Sequence, residues 1–400
     1  MQKTQLSPAV VLGADVSALN VVRSLGRKGV RVFVVGNNAK DYAAASRYAK
    51  FVFCEDLTDE RKVISVLMSI SRNTGRKAVL IATSDLHVLH ISRNRDLLRM
   101  SYEFVLPDHG VIETLMDKRR FHDFADRHGF PVPMTVFSNN KPELVKIADQ
   151  LLYPCVVKPL YRTAYWSQHV PPDKKVMKVV SARDLREKIE ALHALNQPLI
   201  VQEWIPGGDE EVYFCLAYLD RAGRALALFT GRKLRQYPPL TGVTSMAESI
   251  KSEQLAELTK AVFAEARCIG LCSLECKYES LTDSFKITEP TVGRVDLQEG
   301  ISTHAGIDIP FIAYQDALGL SPSDQTGILE GVKWINEPYE LNSLLSRDSS
   351  NGTARGSFFK HYKGKRSYAV TAADDPGPFL RFVAVAGWRG LRYLRKAISN

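Results

Sequence analysis

The sequence predicts an α/β protein of more than one domain, and three observations carry that prediction. The chain opens as strand, tight turn, helix and strand: the apolar run Ala9–Leu12 passes through Gly13 into GADVSALNVVRSLGRKG and then into Val30–Val35, the start of a parallel sheet. Late in the chain, Leu271–Tyr278 and Phe285–Glu289 read as strands joined by a turn at Ser280–Ser284, a hairpin signature. The length of 400 residues supplies two or three domains at ~150 residues each.

Composition narrows the function classes. Hydrophobic residues make up 45% and charged residues 24%, ordinary for a soluble globular protein. Lys and Arg total 53 against 44 Asp and Glu, a net charge of +9, which favours anionic partners such as nucleotides, acidic substrates or anionic lipid. No long Lys/Arg run or nucleic-acid motif occurs, so no nucleic-acid partner is expected. Cys54, Cys155 and Cys215 stand far apart in apolar runs and read as small buried hydrophobes. Cys268, Cys272 and Cys276 are spaced for one helix face but lie where the chain reads as strand, which argues against zinc, and no disulfide framework is suggested. The N-terminus carries no basic-then-apolar signal segment. No apolar run reaches the ~18–20 residues that cross a bilayer, and the cytoplasm is the expected location.

The first stretch is Rossmann-like, but its turn departs from the dinucleotide fingerprint Gly-x-Gly-x-x-Gly. The matching positions are Gly13, Asp15 and Ala18, and the second strand ends at Asn37-Asn38 without an acid for a ribose. Asp15 would repel a pyrophosphate, so NAD is not expected. A strand at Phe51–Cys54, a helix over Asp59–Asn73 and a strand at Ala78–Ala82 follow. Asp85 then sits where open α/β sheets place ligands, as a substrate contact or a helix cap. A strand at Phe104–Leu106 completes a domain over 1–115.

Asp117-Lys118 opens a helix that stops at Gly129, and Pro131–Pro133 is an extended connector. A helix within Lys141–Leu151 leads to the strand Cys155–Lys158, with Lys158 on the face opposite Cys155 and Val157. The loop Tyr161–Pro172 carries Arg162, Trp166 and His169; Lys178–Val180 is a strand and Ala182–Ala194 a helix. Leu199–Trp204 is a strand entering Ile205-Pro206-Gly207-Gly208, and Glu211–Tyr218 and Ala225–Thr230 flank a turn at Asp220–Gly223. The basic stretch Gly231–Arg235 either grips phosphate through Arg232 and Lys233 or forms a solvated hairpin edge. A long helix, Glu253–Gly270, delivers the chain to the late hairpin.

Alternation in that hairpin puts Ser273, Glu275 and Lys277 on one face and Cys272, Leu274 and Cys276 on the other. Glu275 and Glu289 then sit side by side on paired strands, either facing solvent or facing a cleft where two carboxylates need a cation. Such hard oxygen ligands suit magnesium with phosphates completing its shell. Arg294 follows five residues after Glu289 and can hold an anion in a forked pair.

This succession resembles the ATP-grasp superfamily across residues 9 to 310. The residues that carry the resemblance are the Rossmann-like opening, Asp117-Lys118, Lys158-Pro159, the Gln202–Gly207 hinge and the acidic strands at Glu275 and Glu289. It implies a Rossmann-like N-terminal domain, an ATP-grasp fold over 116–315 with two α+β subdomains clasping ATP and a lid near 135–203, and a basic C-terminal extension over 316–400. It also implies an ATP-dependent ligase joining a small-molecule carboxylate to an amine. Lys118 and Lys158 would contact ATP phosphates. Gln202, Glu203, Trp204 and Ile205 would lie along the adenine, with Glu203 accepting from its amine. Glu211, or Glu210 beside it, would hold the ribose. Lys233 or Arg232 would face the γ-phosphate, Glu275, Glu289 and Thr291 would bind Mg2+, and Arg294 would stabilise the acyl-phosphate or the substrate carboxylate.

Two departures stand out. Thr291 occupies the position where many members carry Asn, and the Tyr161–Pro172 loop has no glycine. They keep open a nucleotide-binding protein of the same fold without ligase turnover. Beyond Ser346–Gly356, a Ser/Asn/Gly/Arg-rich stretch, the segment Pro378–Asn400 holds five basic residues and no acid. Leu380, Val383, Leu391 and Leu394 share one helical face and Arg389, Arg392 and Lys396 another, which suits docking on the protein or peripheral contact with an anionic membrane.

Overall fold

The structure is a computed structural model that describes residues 6–160, 176–191, 197–322, 327–345 and 361–386. The described residues form three sheets. The first is built from β1 (Ala9–Leu12), β2 (Val32–Gly36), β3 (Ala49–Phe53), β4 (Ala78–Ala82) and β5 (Tyr102–Glu103), all parallel in the order β3-β2-β1-β4-β5. β1, β2 and β4 are buried along their whole length, as apolar strands of a parallel sheet covered on both faces must be.

The departures at the first turn have local structural causes. Asp15 is the N-cap of the helix Val16–Arg27, its carboxylate accepting from the Ala18 N–H at 3.1 Å. Gly13 has φ +108°, and a Cβ there would lie 2.1 Å from Thr83 Oγ1, so close approach of two strand ends requires glycine. The last strand is shorter and earlier than the expected Phe104–Leu106. Phe104 and Leu106 are buried in the core, but pairing ends at Glu103, and the Arg95 guanidinium takes the carbonyls of Leu106 and Pro107.

The second sheet is antiparallel, in the order β6-β9-β7-β8: β6 (Thr135–Ser138), β7 (Cys155–Pro159), β8 (Met177–Val179) and β9 (Leu199–Glu203). One face packs Cys155, Val157, Leu199 and Val201 against Leu144, Leu185 and Ile189 of its helices, and Lys158 and Gln202 stand on the other. β6 is absent from the sequence reading, because Thr-Val-Phe-Ser is short and follows a proline connector. The helices here are Lys141–Lys146, within the expected stretch, and Ala182–Glu190, shorter than expected. The loop Tyr161–Pro172, with Arg162, Trp166 and His169, lies outside the described residues.

The third sheet has seven strands in the order β14-β13-β10-β11-β12-β15-β16. They are β10 (Val212–Leu219), β11 (Ala225–Tyr237), β12 (Val243–Ser249), β13 (Gly270–Glu279), β14 (Ser284–Val292), β15 (Lys333–Ile335) and β16 (Arg366–Tyr368). The basic stretch Gly231–Arg235 is part of β11, and β12 is a strand the sequence reading lacked. The helix before β13 is Glu253–Glu265. It stops short of Gly270 because Arg267 takes φ +53° and Gly270 φ +80° to turn the chain beneath Val105, whose carbonyl would lie 2.4 Å from a Cβ at Gly270. All six cysteines are free and buried.

The chain after 316 contributes to this body. β15 and β16 extend the seven-stranded sheet, and Asp375 forms a buried pair with Arg23 of the helix Val16–Arg27 at 2.9 Å. The same guanidinium caps the carbonyls of Ala369 and Val370. Residues 377–386 are helical, with Leu380 and Val383 exposed; Arg389, Leu391, Arg392, Leu394 and Lys396 lie outside the described residues. Among the described residues no helix is long and apolar enough to cross a membrane.

Candidate active site

A cleft of about 510 Å3 opens between the second and third sheets, beside the helix that follows β4. It collects Lys118, Lys158, Gln202, Lys233, Glu275, Glu289 and Thr291, all expected from the sequence, together with Asp85, Lys277 and Asp296.

Strand register places the acids. Glu275 of β13 pairs directly with Glu289 of β14, so the carboxylates stand on one face as alternation requires. A bulge follows, leaving Thr288 unpaired in the ladder, and the Thr288 hydroxyl donates to the Glu275 carbonyl at 3.0 Å. Cys272, Leu274 and Cys276 turn into the core. The protein crowding Glu289 raises its pKa, and Glu275 raises it further. Thr291 lies opposite Ser273, whose hydroxyl donates to Asp296 Oδ2 at 2.5 Å.

The cations arrive from three elements. Lys118 is the first residue of the helix Lys118–Arg127, which Asp117 caps by accepting from the N–H groups of Arg119 and Arg120. Lys158, on the cleft face of β7, donates to Gln202 Oε1 at 3.0 Å; burial, and then Lys118, push its pKa down to about 8. Lys233 bridges Glu275 at 2.6 Å and donates to Gln236 Oε1 at 3.1 Å, with 5% of its side chain exposed. Arg232 points the other way and pairs with Glu248 at 3.0 Å. Strand alternation thus separates two neighbours that the sequence left as alternatives.

Along the hinge only Gln202 lines the cleft, donating through Nε2 to Thr135 Oγ1 at 3.1 Å. The Glu203 side chain, expected on the adenine, instead accepts the Met134 N–H at 3.1 Å, because consecutive residues of β9 face opposite ways. Trp204 lies beside two cations, Lys178 at 4.2 Å and Lys277 at 5.8 Å from its ring centre, and Ile205 is buried. Glu211 packs beside Gly207, where a Cβ would lie 2.5 Å from Glu211 Cγ, and Glu210 pairs with His361 at 3.3 Å. Neither of these two acids lines the cleft.

These elements match solved folds. No family model matches the chain. It is 21% identical over 367 residues to the D-aspartate ligase of Enterococcus faecium, covering 86% of this chain and 85% of that protein. It is 23% identical over 318 residues to the N-terminal section of the carbamoyl phosphate synthase large chain of Methanopyrus kandleri, covering 76% of this chain but about half, 54%, of that protein. It superposes on the ADP complex of N5-carboxyaminoimidazole ribonucleotide synthetase with a TM-score of 0.64 at 14% identity, covering 84% of this chain and 83% of the other. The chain has the ATP-grasp fold.

Three features of this ATP-grasp cleft escaped the sequence reading. Lys277 donates to the carbonyls of Gly207 and Gly208 at 2.9 and 3.1 Å, tying the hinge to β13, and burial lowers its pKa. Asp209 accepts from the N–H groups of Gln236 and Leu240 at 2.8 and 2.7 Å, holding the loop between β11 and β12 over the cleft. That loop closes at Gly242, where a Cβ would fall 2.1 Å from the Tyr237 carbonyl carbon; the dipeptide Pro238-Pro239 before it was the available signal. Arg294 does not itself line the cleft. It stands behind Asp85, with its guanidinium on that carboxylate, 3.8 Å from Asp296. Burial opposes its charge, but Asp296 and Asp85 outweigh that and raise its pKa.

Among the described residues no three His, Cys, Asp or Glu side chains converge as a metal cage. The donor set present is instead the Glu275–Glu289 pair. It fits magnesium, which binds through one or two carboxylates and takes its other ligands from phosphate and water.

Proposed function

We propose that this chain is an ATP-dependent ligase that joins a small-molecule carboxylate to an amine, or another nucleophile, through an acyl-phosphate. The observation that carries this reading is the register-paired Glu275 and Glu289 facing Lys118, Lys158 and Lys233 in one cleft. A carboxylate oxygen attacking the γ-phosphorus of ATP meets like charge on every side. Lysines positioned around the phosphates, with Gln202 fixing Lys158, offset that charge before the reaction begins. The new P–O bond forms as the bond to the ADP oxygen breaks. The amine then attacks the acyl carbon, loses a proton and expels phosphate.

Glu275 and Glu289 would hold magnesium, with Thr291 beside them; the ion supplies charge neutralisation for the phosphates. Gln202 would face the adenine, with the backbone of Trp204 and Ile205 along it, and Glu211 the ribose. Of the two basic neighbours, Lys233, which lines the cleft, would face the γ-phosphate. Arg294 would receive a carboxylate. The acyl-phosphate must meet the amine before water, and the second and third sheets wall the cleft in which it would form. A D-aspartate ligase and a ribonucleotide synthetase among the similar proteins support the ligase reading. We infer a cytoplasmic enzyme without a nucleic-acid partner; the helix over 377–386, which exposes Leu380 and Val383 but packs Phe382 on the core, either docks on the protein or touches an anionic membrane. Calorimetry with magnesium and either ATP or NAD tests the nucleotide assignment: ATP binds, and NAD binding without an ATP signal overturns the reading.

A further inference from the structure

The corner of the cleft beneath the first domain points to the class of one substrate. Arg294 is joined to the carboxyl end of β4 by a backbone bridge to Ala82, and Asp85 begins the helix that follows β4. Two domains therefore meet at one ion pair, Arg294 on Asp85, with Asp296 at 3.8 Å on the other side of the guanidinium. Asp296 is fixed by Ser273 and by the Leu297 N–H at 3.0 Å. Asp85 keeps 59% of its side chain exposed and lines the cleft, as do Asp296 and Glu289. One guanidinium is thus shared by two carboxylates, with a third close by.

A plain acid would have to displace Asp85 from Arg294 and set a second carboxylate beside it, with only solvent to offset the repulsion. A zwitterion avoids this: its carboxylate takes the guanidinium while its ammonium takes the released Asp85, so every charge keeps a partner. We propose that this corner recognises an α-amino acid, with Arg294 on its carboxylate and Asp85 on its ammonium, and that Asp85 sets this specificity. The proposal rests on the ligase reading and names one of its two substrates.

The test uses the full chain with magnesium and ATP, and pairs each amino acid with its des-amino counterpart, alanine with propionate and aspartate with succinate. Wild-type protein releases phosphate with an amino acid and at least ~10-fold less with its partner, the scale of one charge-assisted hydrogen bond. Asp85→Asn raises KM for the amino acid ~10- to 100-fold, leaves ATP binding by calorimetry unchanged and narrows the preference. Equal use of the des-amino acids, or an unchanged preference in Asp85→Asn, overturns the proposal while leaving the ligase reading standing. Should no acid release phosphate, the ligase reading fails, and calorimetry on the ATP-loaded chain still decides the corner. Binding of an amino acid that Asp85→Asn weakens supports it, and absence of amino-acid binding overturns it.

Discussion

Lys158 gives a prediction in which stability and activity move in opposite directions. Its ammonium sits among cleft walls with Lys118 nearby, and its pKa falls from 10.5 to about 8. A fall of that size means that holding the lysine charged costs the fold about 3 kcal/mol. The cost is complete below pH ~8, where folded and unfolded chains are both protonated, and disappears as pH rises from ~8 towards ~10.5, where only the unfolded chain keeps the proton. Lys158→Met retains the volume and removes the charge. Near neutral pH the variant is more stable than wild type by up to about 3 kcal/mol, and the gap closes as pH rises through that window. Turnover falls at least ~100-fold, the scale of one preorganised electrostatic contact. Urea denaturation between pH 7 and 10.5, with ATP-dependent phosphate release at pH 7, reads both quantities. A variant no more stable than wild type, or one with a pH-independent gap, refutes the burial argument; unchanged turnover refutes the phosphate role.

Other residues give sharper local tests. Glu289→Gln hardly changes volume, so the chain folds and retains weak ATP binding through the hinge, while turnover is lost and the magnesium dependence shifts; a magnesium titration of phosphate release with unaltered rates would contradict the metal assignment. Lys233→Ala lowers turnover at least ~100-fold, whereas Arg232→Ala changes it by less than ~10-fold, because Arg232 pairs with Glu248 away from the cleft; equal kinetic losses would show that the strand alternation was misassigned.

Much of the site was legible because strand periodicity translates directly into facing. Glu275 and Glu289 could be paired, and the cysteines sent to the other face, from alternation and one turn. Lys158 was separable from Cys155 and Val157 in the same way. The rule also held the answer for Arg232 and Lys233, but the sequence reading ended β11 at Thr230, so no alternation was applied to them. That Gln202 lines the cleft while Glu203 accepts the Met134 N–H was not legible, because a resemblance gives order along the chain and not which neighbour faces inward. Lys277, Asp209 and Asp296 act through contacts between distant segments, and Arg294 meets Asp85 across 209 positions; no local pattern encodes such pairs. The tail was read as an appendage because its strands are three residues each and acquire meaning only at the edge of a sheet formed elsewhere.

The most direct test of the central claim is trapping of the activated acid. The full chain is incubated with ATP, magnesium, a panel of carboxylic acids and hydroxylamine, and hydroxamate and nucleotide products are measured together. An acyl-phosphate ligase yields hydroxamate with one class of acid, in equal amount with ADP and phosphate, and Glu289→Gln yields none. Release of AMP and pyrophosphate, or ADP formation that ignores every acid while ATP is bound, would contradict the account.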